Sequence, residues 1–265
     1  MSRSATRFRN ALLSAAVALW LCGCSATAEG NGAAEDTRSS MPPIHVRQTV
    51  ELTRNGVNEA RDNYLGAIRD CQAGGLQSRP LPEEEVALLG TTRYELWFDR
   101  DTEVVRQTSW EVANDGAGGS CLFRLDTAGS QETTTAKRYQ QVDLATDEHS
   151  DDAAPDDALA RYPAEKSEAI ALAGFSGPTQ RTVAGQPCNE WVKPSGLRQC
   201  VWSGGAKWGF TPEPLNEYRP NRGFIVLEQT PGSDPDYTVT TQVISVGKPF
   251  DRAALEAPRT RGKIN

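Results

Sequence analysis

Histidine is nearly absent from this chain of 265 residues: only His45 and His149 occur. The cysteines form no C-x-x-C pair, which with so few histidines excludes the usual zinc sites and c-type haem attachment. No G-x-S-x-G elbow, P-loop, H-E-x-x-H or G-x-G-x-x-G fingerprint is present, so the common hydrolase, nucleotide and dinucleotide chemistries have no motif to rest on. Positive charge is also short, 28 Lys and Arg against 35 Asp and Glu, for a net charge of −7. General nucleic-acid binding draws most of its affinity from basic patches and is disfavoured here. Long apolar runs are missing too. The one near the start, residues 11–21, falls well short of the roughly 20 residues that span a bilayer.

That short run follows Arg3, Arg7 and Arg9 and ends in Leu21-Cys22-Gly23-Cys24. A basic start, an apolar core and a small residue before cysteine read as an export signal rather than a membrane span. The tetrapeptide resembles the lipobox of bacterial lipoproteins. The resemblance implies a signal peptide over 1–23 and acylation (palmitate among the chains) of Cys24, with Ser25 fitting delivery to the outer membrane, facing the periplasm. Ala26-Thr27-Ala28 offers a rival secretory cleavage site that would release a soluble protein from Glu29. Either route is expected to send the chain across the membrane, with the cell envelope as the expected location, and makes it more acidic, because the signal carries arginines and no acids.

With Cys22 and Cys24 set aside, Cys71, Cys121, Cys188 and Cys200 remain. An even number in an oxidising compartment implies two disulfides. Three pairings are possible on sequence alone; spacing favours Cys188 with Cys200, leaving Cys71 with Cys121.

Residues 24–42 are small, polar and end in Pro42-Pro43, a lipidated flexible tether. A single β-rich domain is expected over 43–260. Alternation from Ile44 to Leu52 predicts a strand, and Val57, Ala60, Tyr64, Ile68 and Cys71 predict a helix stopped by Gly74-Gly75. Pro82 and Glu83-Glu84-Glu85 open a second, short helix; the acids suit its positive end, so no catalysis is assigned to them. Period two then runs through 93–98 and 104–112, with further strands expected at 121–125 and 133–142, an antiparallel meander. The acidic stretch 143–157 lacks the fixed spacing and glycine of a calcium loop and reads as a solvated loop. Pro163 opens a helix expected to run to Ala173. Around Pro194-Ser195-Gly196 a hairpin symmetric about Pro194 sets Cys188 opposite Cys200, Glu190 opposite Arg198 and Trp191 opposite Leu197. A last hairpin turns around Gly232, and 251–256 suits one helical turn.

The run Thr182-Val183-Ala184-Gly185-Gln186-Pro187-Cys188-Asn189-Glu190-Trp191, the later Cys200-Val201-Trp202-Ser203 and the finish Leu255-Glu256-Ala257-Pro258 together resemble the periplasmic half-barrel lipoprotein carriers. The strands Cys121-Leu122-Phe123-Arg124-Leu125-Asp126 and Tyr139-Gln140-Gln141-Val142 suit that group as well. The likeness spans residues 94–258. It departs in an added N-terminal helical part, four cysteines and a long acidic loop. It implies an open, incomplete barrel that covers acyl chains or holds a surface against a partner, and it transfers no binding residue.

The fold class expected is therefore mainly antiparallel β (α+β), a curved sheet or half-barrel with a few helices. Trp97, Trp110, Trp191, Trp202 and Trp208 all fall on expected strands. Trp202 and Trp208, bracketing Gly204-Gly205, are the candidate ligand-facing pair, since glycines permit close approach. The expected function is non-catalytic: an envelope lipoprotein, held to the membrane by its lipid, that binds an apolar ligand or an envelope protein, with neither cofactor nor metal. The alternative is a periplasmic inhibitor or immunity lipoprotein that blocks a basic cell-wall hydrolase through its acidic loop. A hydrolase with unrecognised acids is a third possibility.

Overall fold

The computed structural model describes residues 35–116, 120–164, 174–232 and 236–258. Cys24, Ala28 and most of the helix expected after Pro163 lie outside them. The chain runs β1 (Ile44–Thr53), α1 (Glu59–Ala73), β2 (Ser78–Arg79), α2 (Glu83–Val86), β3 (Thr91–Phe98), β4 (Thr102–Asn114), β5 (Cys121–Thr135), β6 (Arg138–Asp143) and β7 (His149–Ala153). It continues through β8 (Ser176–Val183), β9 (Gln186–Val192), β10 (Arg198–Trp202), β11 (Val226–Thr230) and β12 (Asp236–Val246). These strands form one open, curved sheet in the order β7-β6-β5-β4-β3-β1-β12-β11-β10-β9-β8, with β2 attached in parallel to β5. Two antiparallel meanders, β3 to β7 and β8 to β12, thus meet on β1.

Alternation on β1 explains the main core. Ile44, Val46, Gln48 and Val50 are buried, and the intervening side chains are less so. The register lines Ile44 against Phe98 and Val246, and Val46 against Leu96 and Ile244, so the apolar rows continue across three strands. Residues after β10 fold back over this face and fill it with Phe210, Phe224 and Ile225. Each such side chain contributes roughly 1.5–3 kcal/mol on burial. Gln48 is tolerated in the row because its amide donates to the Val226 carbonyl at 2.5 Å and to Thr241 Oγ1 at 2.8 Å.

One end of this core is closed by a buried ion pair. Arg161 Nη2 lies 2.7 Å from Glu103 Oε1, both side chains being about one-twentieth exposed. The guanidinium sits over the rings of Phe98 (5.1 Å) and Phe210 (4.6 Å). Arg161 also binds the expected tether: its N–H donates to Asp36 Oδ1 (3.0 Å) and its carbonyl accepts from the Thr37 N–H (2.8 Å). Asp36 caps the 3₁₀ turn Thr37–Ser40, and Met41 is buried. The packed domain therefore starts several residues before residue 43, because the capping Asp36 and apolar Met41 give this stretch something to dock.

Other expectations are corrected. Residues 121–135 form one long strand rather than two pieces; the polar centre of β5 shows no apolar alternation, yet pairing with β4 carries it straight through. The acidic stretch 143–157 is only partly loop, since β7 pairs with β6 at the sheet edge. Every residue of β7 is exposed, so burial leaves no period in its sequence, and charge suits an unpaired edge. In the turn before it, backbone N–H groups of Thr146 and Ala145, 2.8 Å from Asp143 Oδ1, hold that carboxyl below its usual range. The β9–β10 hairpin centres on Ser195, not Pro194: Arg198 opposes Val192 and Cys200 opposes Glu190. The loop Pro194-Ser195-Gly196 ends in a left-handed glycine (φ 90°), and this third loop residue moves the ladder. Cys188 and Cys200 are thus diagonal neighbours with Cα atoms 5.4 Å apart, and they form a disulfide; Glu190 and Arg198 pair diagonally at 3.7 Å. Trp208 lies in a 3₁₀ turn, Ala206–Trp208, not a strand.

Candidate functional site

Helix α1 crosses the β4–β5 part of the sheet and is fixed at both ends. At its start, Asn58 Oδ1 accepts the Arg61 N–H (3.0 Å), while Asn58 Nδ2 donates to Glu51 Oε1 (2.8 Å) and the Leu89 carbonyl (2.9 Å). Gly90 (φ 68°) packs so closely that a Cβ there would meet Asn58 Oδ1 at 2.2 Å. At its end the Cys71–Cys121 disulfide ties the helix to β5, with Cα atoms 6.3 Å apart. Between the anchors, Tyr64 directs its ring edge-on to Phe123 (5.4 Å), and its hydroxyl accepts the Leu81 N–H (2.6 Å).

The sequence of α1 decides what lies between these fixings. Ala60, Asn63, Tyr64 and Ala67 recur on its sheet-facing side, and only tyrosine among them is large. Short side chains cannot reach β4 and β5, so an open groove of about 410 Å³ separates them. Its far wall is Trp110, Val112 and Phe123, with Leu89 and the exposed Glu111 completing the lining. This volume falls within the roughly 300–1,000 Å³ of small-molecule sites, which are mostly apolar with few polar groups. Trp110 is half-buried and Val112 is exposed, so apolar surface stays open to solvent. Arg93 lies with its guanidinium 5.0 Å from the Trp110 ring.

Trp202 and Trp208 are placed elsewhere. They are 1% and 9% exposed, and the Trp202 ring packs on Phe210 (5.0 Å) and Trp208 (6.4 Å). A Cβ on Gly205 would come within 2.4 Å of the Trp202 ring. The close approach that Gly204-Gly205 allows is that of Trp202 itself. Trp97 and Trp191 are also core residues. Among the described residues the half-open tryptophan is Trp110, which alternation alone does not single out; the signal that could have found it is the spacing of small residues on α1.

A polar cluster occupies another part of the same sheet. His45 stacks on Trp97 (5.2 Å, 3°), and Arg106 lies over the same ring at 4.9 Å. Glu95 is 3.8 Å from His45 Nε2 and 3.8 Å from Arg106 Nη1; the histidine first, then the arginine, holds its carboxyl below the usual range. Arg106 donates to the carbonyls of Ala254 (2.9 Å) and Glu256 (2.7 Å), and Gln131 to that of Leu255 (2.8 Å). The cluster latches the C-terminal 3₁₀ turn Arg252–Leu255 to the sheet. His149 is exposed on β7, beside Asp147.

Among the described residues no group of three or more His, Cys, Asp and Glu could hold a metal ion, and no helix is long and apolar enough to cross a membrane. No protein-family model matches this chain, and none of the curated proteins matches it.

Proposed function

We propose that this protein is a non-catalytic, lipid-anchored envelope protein that binds an apolar ligand in the groove between α1 and strands β4 and β5. The observation that carries the reading is the groove itself: apolar walls, open to solvent, under a helix fixed at both ends. A firmly held cleft loses little freedom when a ligand enters. Attachment through Cys24 would keep the domain at a membrane surface, the local source of such ligands. Native mass spectrometry of the protein purified from its own membranes tests the binding. Co-purified lipid lost in Ala67→Trp, which fills the groove, supports the reading; a ligand-free wild type counts against it. Metabolic labelling with palmitate, present in wild type and lost in Cys24→Ser, tests the anchor.

The exposed acids of the edge strand β7 favour a second reading, an inhibitor of a basic cell-wall hydrolase. It predicts complex formation that weakens with salt and with removal of residues 147–157.

A further inference from the structure

We infer that the groove selects an anionic amphiphile, with Arg93 holding the head group; this rests on the groove being a ligand site at all. Arg93 projects from β3 onto the ring of Trp110, the residue that walls the groove. Several arginines nearby are instead neutralised by carboxylates. Arg61 is paired with Glu51, Arg124 with Asp115 and Asp126, and Arg79 with Asp115. Among the described residues Arg93 makes no ion pair, and its guanidinium lies against the face of the Trp110 ring. It is half-buried beside the groove rather than within its lining. An aromatic face leaves the planar edge of a guanidinium free, and that edge carries the paired N–H donors that match a carboxylate or phosphate. An acyl chain against Trp110, Val112 and Phe123 would bring an anionic end group toward this edge. A neutral head group would leave the charge unanswered.

The test is calorimetric titration of the purified protein with dodecanoate and with glycerol monododecanoate, both below their micelle concentrations. Dodecanoate is expected to bind at least about tenfold more tightly, the size of one charge-assisted contact. Arg93→Gln should erase that preference, bringing the two affinities to within about twofold of each other, and Arg93→Lys should restore part of it. Equal affinities in wild type, or a preference that survives Arg93→Gln, would overturn the inference and leave the groove reading standing. Failure of both amphiphiles to bind would remove the two together.

Discussion

The two faces on which this protein spends its aromatic residues are built differently. On one, Phe98 and Trp202 each meet Phe210 ring to ring, Phe224 is buried in the same cluster, and the chain's own return after β10 fills the space. On the other, the buried apolar cluster under α1 is small, centred on Tyr64, Leu81 and Leu89, and a groove is left beside it. A dry core follows where a covering segment carries large side chains. A cleft follows where the covering helix carries alanines and is kept in place by a cap, a disulfide and a small cluster around Tyr64. Trp202 is structural on the first face; on the second, Trp97 is buried beneath His45 and Arg106 while Trp110 stays available.

The sharpest way to break this contrast is to truncate one tryptophan on each face. Trp202→Ala should cost about 3–5 kcal/mol, as for a large buried ring, and Trp110→Ala only about 1 kcal/mol because its ring is already partly hydrated. Urea unfolding of both variants checks the difference; equal costs would mean that the faces are packed alike.

The disulfides extend the contrast. Cys71–Cys121 spans 50 residues and Cys188–Cys200 spans 12. Chain-entropy scaling assigns about 4 kcal/mol to the first and about 3 kcal/mol to the second. The paired Cys→Ser variants should rank in that order by thermal unfolding, and only loss of the first should also loosen ligand binding, since it frees the end of α1.

A smaller effect separates the faces by pH. Burial pushes Tyr94, on the core face, up to about 12 from 10.0. The unfolded chain then releases this proton at lower pH than the folded one, so stability is flat below about pH 10 and falls between about pH 10 and 12, by about 2–3 kcal/mol in all. Tyr218, stacked on Tyr237 at 3.8 Å, is shifted in the same direction, by burial and by its hydrogen bond to Tyr237. Tyr94→Phe should flatten part of this alkaline fall in melts recorded from pH 9 to 12. Smallest of all, Asn58→Ala removes the cap of α1 and should cost about 1 kcal/mol.

The sheet was largely legible from residues whose burial alternates. Ile44 to Leu52 and Tyr94 to Phe98 announce strands because one face of each is core. The same logic fails for β7 and the middle of β5, where hydrogen-bond pairing and not burial sets the conformation. Cysteine spacing pointed to Cys188–Cys200 and elimination left Cys71–Cys121, and both pairs form, although the centre of the hairpin beneath the first is shifted by one residue. The groove was illegible for another reason. Glycines beside Trp202 mark a close approach without saying of what, and the gap over Trp110 arises only when α1 is laid across β4 and β5.

The central claim is that small side chains on α1 leave room for an apolar guest. It is tested most directly by measuring binding of a fluorescent acyl probe to wild type and Ala67→Trp, alongside their melting temperatures. The account predicts that the variant melts close to wild type and loses the probe. Undiminished binding by a stably folded Ala67→Trp would contradict it.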